Sequence, residues 1–122
     1  MASMLAELAA ALAAFATDLG SLLDGVCVVT VSEFGRTVRE NGSGGVDHGS
    51  GNAMLVLGGA VNGGRVYGTW PTLAPTALRA NALQGTTDYR SVLAEVLLQR
   101  CGATSTSAIF PGYTPTALGL FT

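Results

Sequence analysis

The sequence predicts an α/β fold, a mostly parallel β-sheet flanked by helices, with residues 1–122 forming a single domain. Three observations predict it. Apolar residues near the amino terminus recur at helical spacing. The run Val26-Cys27-Val28-Val29-Thr30-Val31 is β-branched and almost continuously apolar, the pattern of a strand buried on both faces of a parallel sheet. A second stretch of helical periodicity follows Asp88.

Leu5, Leu8, Leu12, Phe15 and Leu19 fall on one face of a helix, and the intervening alanines favour helix intrinsically. Ser3 is placed to cap its start and Gly20 to end it in a left-handed C-cap. The uncharged run Leu8–Thr17 stops at Asp18, short of the roughly 20 residues a membrane span needs, so no span is expected. Glu7 stands where a secretory signal would carry cations, and no Lys or Arg precedes Arg36.

A turn at Leu23-Asp24-Gly25 leads into the Val26–Val31 strand. Residues 37–52 read as loop, because glycines at 42, 44, 45, 49 and 51 with Asn41 and Ser43 break every periodicity. Ala53–Leu57 is a second apolar run, closed by Gly58-Gly59. Asn62-Gly63 signals a turn before Arg65-Val66-Tyr67, read as a short strand or hairpin arm. Beyond a loop holding Trp70-Pro71 and Pro75, Thr87 or Asp88 caps a helix with the stripe Val92, Leu93, Val96, Leu97, and Gly102 stops it. The aromatic tail through Phe110-Pro111-Gly112-Tyr113 reads as a docked terminus.

Composition narrows the function classes. Hydrophobic residues make up 48% and charged residues only 11% of the chain, less than half the roughly 25% charge of soluble domains. A surface this uncharged is expected to be covered, by further sequence or by self-association. There is no lysine, and the arginines at 36, 39, 65, 79, 90 and 100 are scattered singly. With a net charge of -2 and no basic stripe, nucleic acid and anionic membrane are excluded as expected partners. Cys27 and Cys101 read as small hydrophobes, since neither belongs to a CxxC motif.

Two short runs carry the chemistry: Ser32-Glu33-Phe34-Gly35-Arg36-Thr37 and Gly44-Gly45-Val46-Asp47-His48-Gly49. They gather Glu33, Arg36, Asp47 and the only histidine, His48, where a parallel strand would deliver them to a ligand. Carboxylate plus imidazole is a ligand set of zinc, manganese or iron type. Arg36 is suited to clamp the oxyanion of a phosphate or sulfate ester in bidentate fashion. The competing readings are a Glu33–Arg36 ion pair that fixes the loop and a His48 anchored by hydrogen bonds. Ser32 as a nucleophile is disfavoured by the absence of a GxSxG elbow.

These runs, with Gly51–Gly59 (GNAMLVLGG), Asn62–Gly68 (NGGRVYG), Thr86–Leu93 (TTDYRSVL) and Phe110–Pro115 (FPGYTP), give the chain its resemblance to the DUF1501 family, whose members are assigned to the alkaline phosphatase-like superfamily. The resemblance implies a partial alkaline phosphatase-like sheet, truncated to the carboxy-terminal portion of a longer exported or periplasmic domain, so that the missing amino-terminal region becomes an expected partner. It implies a metal-dependent phosphate or sulfate ester hydrolase, with Glu33, Asp47 and His48 holding or supporting a divalent metal and Arg36 as oxyanion clamp. Phe34 departs from the pattern, standing where the superfamily places a second ligand, a histidine. The chain alone is accordingly expected to hold only part of the site. The alternative is a noncatalytic structural or binding module of an exported protein.

Overall fold

The structure, a computed structural model, describes residues 2–122. Helix α1 (Ala2–Leu19) runs into a 3-10 helix, Gly20–Gly25, at the point where Gly20 adopts φ +51. Ser3 lies inside α1 and is not its cap. The apolar stripe of α1 is partly open to solvent, with Leu5 60% and Phe15 44% exposed and Leu12 and Leu19 half-buried. By length and composition Ser3–Gly25 is long and apolar enough to cross a membrane, a property that core helices and signal sequences share, and none of it is buried.

Strand β1 (Cys27–Val29) lies within the expected Val26–Val31 segment, but it does not join a parallel sheet. Among the described residues there are two two-stranded sheets, and both are antiparallel. β1 pairs with β4 (Val56–Gly58) in the register Cys27↔Gly58, Val28↔Leu57, Val29↔Val56. The physical reason lies in what continuous apolarity encodes: it reports burial and not strand direction. β1 is in fact only half-buried along its whole length. The long connection from β1 to β4 carries its own hairpin and no crossover helix, so the chain returns antiparallel.

That hairpin occupies most of the segment read as loop. β2 (Gly35–Glu40) pairs with β3 (Val46–Gly49). Asn41 closes the turn: its Oδ1 accepts from Ser43 N at 3.0 Å and Gly45 N at 3.1 Å, and its own N–H donates to Gly45 O at 2.8 Å. This is an Asx-type turn, and Gly44 at φ +72 supplies its left-handed position. Arg36↔His48 and Glu40↔Val46 are in register, so Thr37, Val38 and Arg39 stand opposite Asp47 alone and the ladder bulges. A tight turn, Arg79–Ala82, with Ala80 and Asn81 both at positive φ, lies against the bulge through a Thr37↔Ala82 bridge.

Gly35 and Gly49 are required by contact and not by backbone torsion. A Cβ on Gly35 would lie 1.8 Å from Gly51 O, and one on Gly49 would lie 2.6 Å from the Ala82 Cβ. The base of the hairpin therefore closes directly on the segments around Gly51 and Ala82. Arg65-Val66-Tyr67, expected as a strand, has none. Val66 is 97% exposed, and Tyr67 turns its hydroxyl to Asn62 O at 2.7 Å and Gly119 O at 3.1 Å.

Helix α2 (Tyr89–Arg100) is capped by Asp88, whose carboxylate accepts from Arg90 N at 2.9 Å. Val92 and Ala94 of α2, with Ala82 and Leu120, are the buried apolar residues. The carboxy-terminal segment docks on α2 through side chains one helical turn apart. Ser91 Oγ accepts from Thr116 N at 2.9 Å, and the Glu95 carboxylate accepts from Leu118 N at 2.7 Å and Leu120 N at 2.5 Å.

Candidate functional site

The β2–β3 hairpin brings Arg36 and His48 directly opposite each other across the ladder. Facing residues of an antiparallel pair direct their side chains to the same side of the sheet, with Cβ atoms about 4.5–5.5 Å apart. Both residues are exposed. The Phe34 ring stacks on the His48 imidazole, with centroids 4.0 Å apart and planes 14° from parallel. The Phe34 carbonyl is held in turn by Ser32 Oγ at 2.9 Å and Asn52 Nδ2 at 3.2 Å. A stacked phenyl ring restricts the orientation of the imidazole and leaves its ring nitrogens at the edge. Among the described residues, no side-chain hydrogen bond or ion pair engages the Arg36 guanidinium.

Asp47 is held differently. It precedes His48 on β3, and successive strand residues point to opposite faces. Its Oδ1 accepts from Asn41 Nδ2 at 2.9 Å, and its backbone N–H donates to Thr37 Oγ1 at 3.1 Å. Asp47 therefore fastens the turn of the hairpin. Glu33 is exposed on the approach to β2. It does not pair with Arg36, because the one ion pair among the described residues joins Arg90 to Asp88 at 2.6 Å.

Of the residues read as a site, the fold unites Arg36 with His48 and separates Asp47 from them. Among the described residues, no three of His, Cys, Asp and Glu come together as a metal-ligating group. By strand alternation Asp47 faces away from His48, and Glu33 precedes β2 outside the strands. Phe34, Asn41 and Thr37 support the hairpin and its imidazole without being among the expected ligand or clamp residues. The signal for Asn41 was present, an Asn shortly before the pair Gly44-Gly45, whereas stacking of Phe34 on His48 depends on hairpin register and leaves no local trace.

A second polar cluster lies at the start of α2. Arg90 donates to the Asp88 carboxylate through Nε and Nη2, and its guanidinium carbon sits 3.9 Å above the centre of the Tyr113 ring. The hydrogen bond from Arg90 holds the Asp88 carboxyl below its ordinary range, and the Arg90 guanidinium is raised correspondingly. Burial pushes the Cys27 thiol up, against the opposing pull of Arg100. A half-open cavity of about 320 Å³ lies between α2 and the tail, lined by Glu95, Leu98, Gln99 and Phe121 among others. It does not include the Arg36–His48 face.

No curated protein and no solved structure matches the chain. The family model described as "Protein of unknown function (DUF1501)" matches residues 1–99, a span that takes in α1, both sheets, the hairpin with Arg36 and His48, and nearly all of α2. The chain belongs to the DUF1501 family.

Proposed function

We propose that the exposed hairpin face of Arg36 and His48 binds the oxyanion of a phosphate or sulfate ester, and that this is the part of an ester-hydrolase site that the chain carries. The observation that supports it most is the direct opposition of Arg36 and His48, with the guanidinium uncommitted and the imidazole held by Phe34. A guanidinium presents parallel N–H donors that match two oxygens of one anion, and an imidazole N–H adds a third donor from the other strand. Asp47 on the opposite face does not repel that anion directly.

Hydrolysis is the further step of this reading. A divalent metal of the kind the family resemblance implies would supply Lewis acidity; among the described residues no three of His, Cys, Asp and Glu are grouped to hold one. Within this chain, Arg36 orients the ester and neutralises its charge, His48 donates to a second oxygen, and Phe34 fixes the imidazole plane.

Calorimetric titration with 4-nitrophenyl phosphate and 4-nitrophenyl sulfate tests this. Arg36→Ala is expected to weaken binding by about 10- to 100-fold, the range for losing a charge-assisted hydrogen-bonding group. Arg65→Ala, away from the hairpin, is expected to leave binding unchanged. Equal affinity in both variants would remove the proposal. Release of 4-nitrophenol with added zinc or manganese would extend binding to turnover.

A further inference from the structure

We propose that Asn41 is a site of spontaneous deamidation, in which the Gly42 main-chain nitrogen closes on the Asn41 side-chain amide and expels ammonia. The turn between β2 and β3 assembles the groups this reaction needs. An Asn-Gly pair permits the closure because glycine has no side chain to hinder the attacking nitrogen and turns freely about its backbone. The chain has two such pairs, Asn41-Gly42 and Asn62-Gly63. Their surroundings differ at every reacting group.

The amides of the turn converge on Asn41. Ser43 N at 3.0 Å and Gly45 N at 3.1 Å both donate to Asn41 Oδ1, and Gly44 N donates to the Asn41 main-chain carbonyl at 3.1 Å. Of the four residues that follow Asn41, only Gly42 has a main-chain N–H without an acceptor among the described residues, so the nucleophile is uncommitted. The two donors on Oδ1 polarise the Cγ–Oδ1 bond and stand where negative charge grows as Cγ becomes tetrahedral, the arrangement of an oxyanion hole. Nδ2, the group that departs, donates to Asp47 Oδ1 at 2.9 Å. A Cβ at Gly42 would meet nothing within 4 Å, which leaves the 41–42 peptide room to turn toward the side chain.

The reaction balances within the turn and water. Gly42 N gives its proton to solvent base and bonds to Asn41 Cγ, while Oδ1 carries the charge. The Cγ–Nδ2 bond then breaks as Nδ2 takes up a proton from water, with the Asp47 carboxylate placed to relay it, and ammonia leaves behind a cyclic imide. Water opens the imide at either carbonyl, giving aspartate or its β-linked isomer. Asn62 lacks each of these aids. Gly63 N is committed to Val61 O at 2.8 Å, no N–H among the described residues donates to Asn62 Oδ1, and Asn62 Nδ2 reaches the Gly119 carbonyl at 3.4 Å.

The product alters the hairpin. A carboxylate at position 41 is an acceptor only and has no N–H for Asp47. It faces the Asp47 carboxylate where Asn41 Nδ2 and Asp47 Oδ1 now lie 2.9 Å apart. Like charges so placed oppose each other, and the turn that joins β2 to β3 loosens irreversibly. Neither Arg36 nor His48 takes part, so deamidation and oxyanion binding stand or fall separately.

Peptide mapping by mass spectrometry of the full chain, incubated at mildly alkaline pH, tests the proposal. In the folded chain Asn41 is expected to convert at least about tenfold faster than Asn62, because preorganised donors serve the first and not the second. In urea sufficient to unfold the chain, the two rates should approach each other. Asn41→Asp should speed amide exchange at Gly44 and Asp47 while β1 and β4 amides keep their protection, and unchanged exchange at Gly44 and Asp47 would remove the loosening. Equal rates at the two asparagines in the folded chain, or a slower Asn41 there than in urea, would overturn the proposal, since the hydrogen bonds would then protect the amide instead of activating it.

Discussion

The Phe34 ring lies flat against the His48 imidazole, 4.0 Å between centroids and 14° from parallel. Phe34 precedes β2 and His48 belongs to β3, so this contact ties the entry of the hairpin to its returning strand. It also makes Phe34 a support for the His48 imidazole.

Removing that support should loosen His48 without removing it. Aromatic stacking contributes about 0.5–1.5 kcal/mol beyond area burial, so Phe34→Ala should weaken oxyanion binding by roughly 2- to 12-fold. Loss of the ring-current shift at the His48 Cδ2 and Cε1 protons checks the structural half of this expectation. Unchanged shifts would show that the two rings do not stack in solution.

The closure of the hairpin base predicts a contrast between two glycines. Gly35→Ala forces a methyl group into the Gly51 backbone, with the Cβ 1.8 Å from Gly51 O, whereas a Cβ at Gly42 meets nothing within 4 Å. Overpacking of this kind costs about 1–3 kcal/mol or more. Urea unfolding should show that loss for Gly35→Ala and a change within about 0.5 kcal/mol for Gly42→Ala.

Asp88 gives a prediction with a pH sign. Its carboxyl is held below the ordinary range by the Arg90 hydrogen bond, so its contribution to stability is complete above the unfolded carboxylate pKa and is lost as pH falls through the depressed folded value. Asp88→Ala should cost about 0.5–2 kcal/mol near neutral pH, through loss of the N-cap. The wild-type and variant stabilities should converge on acidification, as read by unfolding curves at a series of pH values.

Glu95 holds the tail with both oxygens, one for Leu118 N and one for Leu120 N. Glu95→Gln turns an amide NH₂ toward one of those N–H groups, leaving a donor unsatisfied at a cost of about 1–3 kcal/mol. Amide exchange at Leu118 and Leu120 should accelerate while β1 and β4 amides keep their protection. Equal acceleration everywhere would mean that Glu95 acts on the whole fold.

Much of this organisation was legible where the signal is local. The end of α1 at Gly20 and the placement of α2 between Asp88 and Gly102 follow from capping chemistry that a few neighbouring residues determine. Sheet direction was not legible. The apolar run at Val26–Val31 is compatible with either direction, and the choice depends on β4, far along the chain. The glycines of residues 37–52 concealed a hairpin, because Gly49 and Gly51 serve close approach to the Ala82 region and not loop freedom. For the site, proximity of Arg36 and His48 was readable from the two motifs, but their opposition and the turning away of Asp47 depend on register and on strand alternation.

If Arg36 and His48 form one oxyanion-binding face, NMR titration of the full chain with inorganic phosphate and sulfate will register the anion at both residues together. The expected result is saturable shifts at the Arg36 Nε–H and the His48 ring protons with a common affinity, both abolished in Arg36→Ala. Shifts at His48 that persist unchanged in Arg36→Ala, or no shift at either residue, would contradict it.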